Sequence, residues 1–356
     1  MPPVSVMIKP ASSACNLACR YCFYHSLAEK RESGCRGVMK TELFSEIMKK
    51  AFSFADGEAV TLSFQGGEPL LAGKEFFIKA FAEIEKLNVK KSPVYIGVQT
   101  NGTLIDDEWC NIFASYGVLV GLSLDGDACA DALRTYPDGK ESFSEALRGY
   151  EKLKRRGADI NVLVVVTKQV AENIERIYDF FKEKGVKYLQ YIPCLRPFDG
   201  EDYGLCLDGE EYGEFLIKAF NLYAKDYFGG RYVSVRIFDN FVSLAHGRRA
   251  EQCGMNGHCT HQYVIESDGE VYPCDFYCAD EYSLGNIKAN DFSELEKKNT
   301  AVEFIKESLV KDEKCRRCNL YALCAGGCKR ERLSFDLCVA YKKFLPYAVP
   351  ILRRMY

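Results

Sequence analysis

From residue 4 onward the chain alternates short apolar runs with longer stretches in which apolar residues recur every three or four positions. The runs "VSVMI" (4–8), "AVTLSF" (59–64), "VYIGVQT" (94–100), "VLVGLSL" (118–124), "INVLVVVT" (160–167) and "KYLQYI" (187–192) are rich in β-branched and aromatic residues. They predict strands. Between them, "TELFSEIMKKAFSFA" and "EFFIKAFAEIEKL" carry apolar residues at helical spacing. Several strands are apolar at nearly every position, as parallel strands covered on both faces are. Six β-α units are too few for a complete eight-unit barrel, so the pattern predicts an incomplete barrel or an open doubly wound sheet.

Past residue 195 the rhythm breaks. "RPFDGEDYGLCLDGEEYG" is acidic and turn-rich, and "EFLIKAFNLYAKDYF" returns to helical spacing. After 251 the strands become short, with "QYVIESDGEVYP" predicting a hairpin that turns at Asp268-Gly269 and a last helix over 339–355. Three segments follow: 1–195, a bridge over 196–250, and 251–356. No repeat of fixed period and no low-complexity tract interrupts them.

Composition adds one decisive feature. A net charge of -3 in 356 residues gives no reason to expect nucleic acid or an acidic membrane surface as partner. No apolar stretch approaches the roughly 20 residues of a membrane helix. The start, "MPPVSVMIKPASSAC", lacks the pattern of an export signal. The expectation is a soluble, cytoplasmic monomer. Yet there are 17 cysteines, and in a reducing compartment clustered cysteines bind metal or do redox chemistry. Cys35, Cys110, Cys129, Cys194, Cys206 and Cys278 are scattered and read mainly as small buried hydrophobes. The rest are grouped.

The first group, Cys15, Cys19 and Cys22, falls in "SSACNLACRYCFYHS". Soft thiolates match an iron–sulfide core. Three ligands on one short loop leave the fourth iron of a cubane open to an outside chelator. Zinc completed by His25 or a distant cysteine is the alternative that spacing leaves standing. The second group comprises Cys253, Cys259, Cys274, Cys315, Cys318, Cys324, Cys328 and Cys338. Eight thiolates complete two closed sites, as iron–sulfur clusters or as zinc ribbons. His258 and His261 flank one ligand and read as packing or surface residues, because cysteines already fill the count.

The Cys-x3-Cys-x-aromatic-Cys loop, with Tyr21 as its aromatic, resembles that of the radical S-adenosylmethionine (SAM) enzymes. "QGGEP" (65–69), "QTNGTLID" (99–106) and "GLSLDG" (121–126) resemble further strand-end segments of that family, and the later cysteines resemble its SPASM extension. The implied fold is α/β: a partial (β/α)6 TIM-like barrel with a C-terminal cysteine-rich SPASM domain. The resemblance implies three [4Fe–4S] clusters. Cys15, Cys19 and Cys22 would hold the SAM-binding one. Cys253, Cys259, Cys274 and Cys328 would hold the first auxiliary cluster, and Cys315, Cys318, Cys324 and Cys338 the second. SAM would meet Tyr21, Gly66, Gly67, Glu68, Ser123, Arg134 and Leu195. Before Arg134 the family often has His or Asn, whereas "ACADALR" has neither.

The stretches "KPASS", "CFYHSL", "FQGGEP", "CGMNG" and "VYPCDFY" narrow the likeness to the anaerobic sulfatase-maturating enzymes. These convert a cysteine or serine of a sulfatase to Cα-formylglycine, the cofactor yielding a 5′-deoxyadenosyl radical that abstracts hydrogen from carbon. Asp275 matches the family's acid–base residue and would take the thiol or hydroxyl proton while an auxiliary cluster accepts an electron. Without the resemblance, an Asp beside a cysteine is a solvated turn residue. Tyr24 and Gln65 are candidate contacts to the peptide. A sulfatase peptide and a reductant such as flavodoxin or ferredoxin are the implied partners. A SPASM enzyme that crosslinks a ribosomal peptide through a thioether is the alternative function, and a non-catalytic zinc module is the alternative of another class.

Overall fold

The computed structural model describes residues 3–198 and 204–356. Residues 199–203, within the acidic bridge, lie outside the described residues. The predicted strands form where the apolar runs lie: β1 (Val4–Ile8), β2 (Val60–Phe64), β3 (Val94–Thr100), β4 (Leu119–Ser123), β5 (Ile160–Val166) and β6 (Tyr188–Pro193). Shorter strands follow: β7 (Ser234–Val235), β8 (Val264–Ile265), β9 (Glu270–Tyr272) and β10 (Gly285–Asn286). The architecture is mixed α/β with parallel strands. No helix among the described residues is long and apolar enough to cross a membrane.

Two compact units result. The first comprises Met1–Ser123, Arg134–Ile160 and His261–Phe304. In it β1, β2, β3 and β4 run parallel as successive neighbours. Alternate residues Val4, Val6 and Ile8 of β1 are fully or nearly fully buried, as are Val60, Leu62 and Phe64 of β2, so one face of each strand is core. Phe44 and Phe77, from the helices Thr41–Ala55 and Lys74–Leu87, pack on Phe64 at ring separations of 5.9 and 5.0 Å. On its other edge β1 pairs in parallel with β8, and β8 turns through Gly269 (φ +98°) into antiparallel β9. The predicted hairpin is therefore joined to the first strand. That pairing brings the end of β9 beside the end of β1.

The second unit comprises Leu124–Leu133, Asn161–Thr260 and Ile305–Tyr356. Here β5, β6 and β7 run parallel. The bridge helix spans Gly209–Phe228, starting five residues before the apolar periodicity does. Its true start is a capping box in which Asp208 accepts from the Glu211 amide and Glu211 accepts from the Asp208 amide. It packs on the final helix, Leu337–Leu352, with Phe220 and Phe344 rings 5.5 Å apart. A Cβ at Gly209 would lie 2.4 Å from the Asp336 carbonyl oxygen. Only glycine permits that approach.

Candidate functional site

The cysteine loop begins where β1 ends and is fastened from three sides. "QGGEP" follows β2, and its backbone lies directly on the loop: Gly67 N donates to Ser12 O at 2.9 Å and Glu68 N to Ala14 O at 2.7 Å. A Cβ on Gly67 would stand 2.1 Å from Ala14 O, and one on Gly66 (φ +128°) would stand 2.7 Å from Ser12 O. The two glycines are required by this contact. From the end of β3, Asn101 Nδ2 donates to Asn16 Oδ1 at 2.8 Å, and Asn16 Nδ2 to Thr103 Oγ1 at 2.9 Å. Beyond β4, Thr135 O accepts from Ala18 N at 2.7 Å.

Glu68 has a structural task that its sequence position does not reveal. It is fully buried. Oε1 accepts from Leu70 N (3.0 Å) and Thr100 Oγ1 (2.8 Å), while Oε2 accepts from Asn101 N (2.7 Å). Burial raises its carboxyl above the usual range, and these hydrogen bonds oppose the shift. Arg134 is buried, and its Nη1 donates to Tyr21 Oη at 3.1 Å, so those two predicted SAM contacts meet in the structure. Ser123, at the end of β4, accepts from Gln99 Nε2 at 2.9 Å. Leu195 is buried just past β6, in the second unit.

The cysteines fit iron–sulfur ligation by chemistry as well as spacing. None is in a disulfide. Burial pushes the Cys15 thiol up to about 11 and raises Cys22 likewise. Thiolates in such a setting form when a cation replaces the proton, as metal ligation does. Cys15 Sγ already accepts from Leu17 N at 3.3 Å and from Asn101 Nδ2 at 3.9 Å. Among the described residues no group of three or more His, Cys, Asp or Glu side chains stands ready for a single metal ion. A cubane holds its ligands farther apart than one ion does.

In the second unit, Cys315, Cys318, Cys324 and Cys338 line one cavity of about 530 Å³. Local structure explains how four residues spread over 24 positions meet. Asp312 caps the turn Glu313–Arg317, and Cys324 ends the short helix Tyr321–Cys324. Ala325, Gly326 and Gly327 all take positive φ and turn the chain back. Asp336 then accepts from Cys338 N, seating it in the first turn of the last helix. Cys328 is placed elsewhere: a Cβ on Gly254 would lie 3.0 Å from its Cβ, so the Cys253-Gly254 segment packs against it. Cys259 N donates to Ser308 Oγ at 2.9 Å in the same unit, and Cys274 lies in the first unit. His258 and His261 turn a ring nitrogen to backbone carbonyls, of Asn256 (3.0 Å) and Ala301 (3.3 Å). Of the six scattered cysteines, Cys110, Cys194, Cys206 and Cys278 are buried, whereas Cys35 and Cys129 are exposed.

Asp275 is no solvated turn residue. It is 5% exposed. Its Oδ2 accepts from Tyr24 Oη at 2.5 Å and from Gln65 Nε2 at 2.9 Å, and Gln65 Nε2 also reaches Tyr24 Oη at 2.9 Å. Its Oδ1 lies 3.0 Å from Lys9 Nζ and accepts no aligned hydrogen bond from any described residue. Lys9, 1% exposed, was absent from the candidates that sequence patterns supplied. Burial opposes its charge, but Asp275 leads the groups that outweigh this and hold its ammonium above the usual range. The Lys9 ammonium also lies 4.5 Å from the Tyr24 ring centre. Burial, then the neighbouring Asp275, raises the Tyr24 phenol well above its usual range, so it is a neutral donor. The signal for Lys9 was present: a lysine directly after a strand whose alternate residues are core.

Comparison with known proteins places this geometry. The radical SAM superfamily model matches residues 10–181, and the SPASM iron–sulfur cluster-binding domain matches residues 253–319. Fold and cysteine sets together define a radical SAM enzyme with an appended iron–sulfur domain. A cysteine-type anaerobic sulfatase-maturating enzyme of Clostridium perfringens (strain 13 / Type A) is 43% identical, with 98% of this chain and 97% of that protein covered. A serine-type anaerobic sulfatase-maturating enzyme of Bacteroides thetaiotaomicron is 30% identical, with 98% and 90% covered. The solved structure of native anSMEcpe with bound AdoMet and Cp18Cys peptide aligns with a TM-score of 0.94 at 41% identity, covering 99% of this chain and 98% of that one. The chain belongs to the anaerobic sulfatase-maturating enzymes.

Proposed function

We propose that this enzyme oxidises a cysteine in a sulfatase peptide to Cα-formylglycine, with Asp275 as its acid–base residue and serine as the lesser substrate. The observation that carries the proposal is the Asp275 carboxylate. One oxygen is held by Tyr24 and Gln65, and the other is buried beside Lys9 without an aligned hydrogen bond. A general base needs a lone pair within reach of the proton it removes and a fixed orientation. The bonds from Tyr24 and Gln65 to Oδ2 supply the orientation, and the carboxylate supplies the lone pair once the peptide is bound. Lys9 provides the countercharge without which a buried carboxylate is costly.

Cys15, Cys19 and Cys22 hold the SAM-binding cluster. In the second unit Cys315, Cys318, Cys324 and Cys338 hold one auxiliary cluster, and Cys253, Cys259 and Cys328 serve the other. When bound, SAM and its cluster supply the one-electron chemistry that removes hydrogen from carbon. The backbone of Gly66 and Gly67 receives the methionine end of SAM, with Glu68 fixing that segment. Tyr21 and Arg134, already paired, bind with Ser123 along the rest of the molecule. Gln65 and Tyr24 orient the peptide's reacting side chain as well as Asp275. The preference for cysteine is supported by the greater identity to the cysteine-type relative, 43% against 30% for the serine-type one. The enzyme works as a cytoplasmic monomer, reduced by a flavodoxin or ferredoxin.

The test is anaerobic incubation with reductant, SAM and paired peptides carrying Cys-x-Pro-x-Arg or Ser-x-Pro-x-Arg, read by mass spectrometry. Formylglycine should form from both, faster from the cysteine peptide. SAM cleavage without aldehyde from either peptide would refute the proposal.

A further inference from the structure

The amide of Asn101 is fully committed. Its Oδ1 accepts from Thr103 N (3.0 Å) and Thr103 Oγ1 (2.8 Å). Its Nδ2 donates to Asn16 Oδ1 (2.8 Å) and to Cys15 Sγ (3.9 Å). The residue is 7% exposed, and its backbone N–H is fixed by Glu68 Oε2 at 2.7 Å. The orientation of such an amide is settled by its partners. A flip would set the NH₂ group against the Thr103 backbone N–H, donor to donor. The Thr103 hydroxyl, donating to Asn101, is in turn the acceptor for Asn16 Nδ2 at 2.9 Å. Asn16, Asn101 and Thr103 thus close a ring that aims an N–H at the Cys15 sulfur.

A cluster that gains an electron becomes more negative, and its thiolate sulfurs share that charge. Hydrogen bonds to those sulfurs favour the reduced state and raise the reduction potential. We propose that Asn101 tunes the potential of the cluster held by Cys15. It thereby sets how readily a one-electron reductant loads that cluster for SAM cleavage. The inference rests on the assignment of Cys15 to the SAM-binding cluster. The amide of Leu17 also donates to Cys15 Sγ, at 3.3 Å, so among the described residues loss of Asn101 removes one of two donors to that sulfur, while the Gly67 and Thr135 contacts still hold the loop.

The experiment is a reductive titration of the anaerobic, cluster-loaded full chain, followed by electron paramagnetic resonance with and without SAM. The signal that changes on adding SAM reports the cluster concerned. Asn101→Leu removes the donor, and Asn101→Asp removes it while keeping the acceptor for Thr103. In both, the reduced fraction of the SAM-responsive signal at fixed potential should fall about tenfold, equivalent to about 59 mV for a one-electron couple. Asn16→Ala keeps the Asn101 donor but opens the ring that aims it, and should shift the signal less than either Asn101 variant. An unchanged potential in both Asn101 variants would overturn the proposal. So would an equal shift in Asn16→Ala, because packing alone would then explain it. Cys15→Ala separates the two levels: persistence of the SAM-responsive signal would refute the cysteine assignment rather than the role of Asn101.

Discussion

Two cysteine regions of this chain solve opposite problems. Cys315, Cys318, Cys324 and Cys338 line a single cavity in the second unit, and four thiolates leave a cubane with nothing to offer a substrate. In the first unit the proposed ligands Cys15, Cys19 and Cys22 come from one loop. That loop is fastened by Gly67, Asn101 and Thr135 rather than by a fourth cysteine. The closed set is built by capped turns and a run of left-handed residues. The open set is built by backbone donors and side-chain amides that fix the loop without competing for iron. The scaffold of the open set comes from the ends of neighbouring parallel strands.

The largest effects are expected from a pair of cysteine substitutions. Cys22→Ala and Cys338→Ala should each cost about four irons per chain, the content of one cubane. Only the first should abolish SAM cleavage, measured as 5′-deoxyadenosine released under reductant. Retained cleavage in Cys22→Ala would invert the assignment of the two regions. Next comes Gly67→Ala, which places a methyl group 2.1 Å from the Ala14 carbonyl oxygen. The cysteine loop has to shift, so iron bound at the open site and SAM cleavage should fall together, by about tenfold or more as for other misplacements of a site. The Cys315–Cys338 cavity lies in the other unit and should keep its irons.

A smaller effect is expected at Lys9. Lys9→Met leaves the Asp275 carboxylate buried without its countercharge, and breaking such a pair costs about 3–5 kcal/mol. Denaturant unfolding should show that loss, and the double variant with Asp275→Asn should recover most of it. A double variant no more stable than Lys9→Met would mean that the ion pair is not the source of the cost. Smallest is Tyr24→Phe, which removes one of two donors to Asp275 Oδ2 while Gln65 remains. Peptide oxidation should drop by about tenfold with SAM cleavage unchanged, in line with the roughly 1–3 kcal/mol of a hydrogen bond to a charged group. A matching loss of SAM cleavage would assign Tyr24 to the cofactor instead.

The strands were legible because each is a short run rich in β-branched and aromatic residues, several of them nearly unbroken in apolar character. "VYIGVQT" and β3 coincide at Val94–Thr100. The open cysteine loop was legible because its three ligands are local in sequence. What escaped was set by contacts between distant segments. The start of the bridge helix depends on Asp208 and Glu211, which bear no apolar signal. Lys9 becomes meaningful only because β1 pairs with β8, which sets the end of β9, and so Asp275, beside it. Glu68 is named by its turn motif as a SAM contact, but the sequence does not show that its buried oxygens also hold Thr100 and Asn101. A turn motif announces where a carboxylate is, not what it binds once the neighbouring strand end arrives.

On the proposed assignment the open cysteine loop and the Asp275 carboxylate divide one reaction, the first serving SAM and the second the peptide's proton. The ratio of formylglycine to 5′-deoxyadenosine in Asp275→Asn, measured by mass spectrometry with a Cys-x-Pro-x-Arg peptide, tests it directly. 5′-Deoxyadenosine should continue to form, while formylglycine falls by about a hundredfold or more, the scale of a lost general base. Wild-type formylglycine yield in Asp275→Asn would contradict the account.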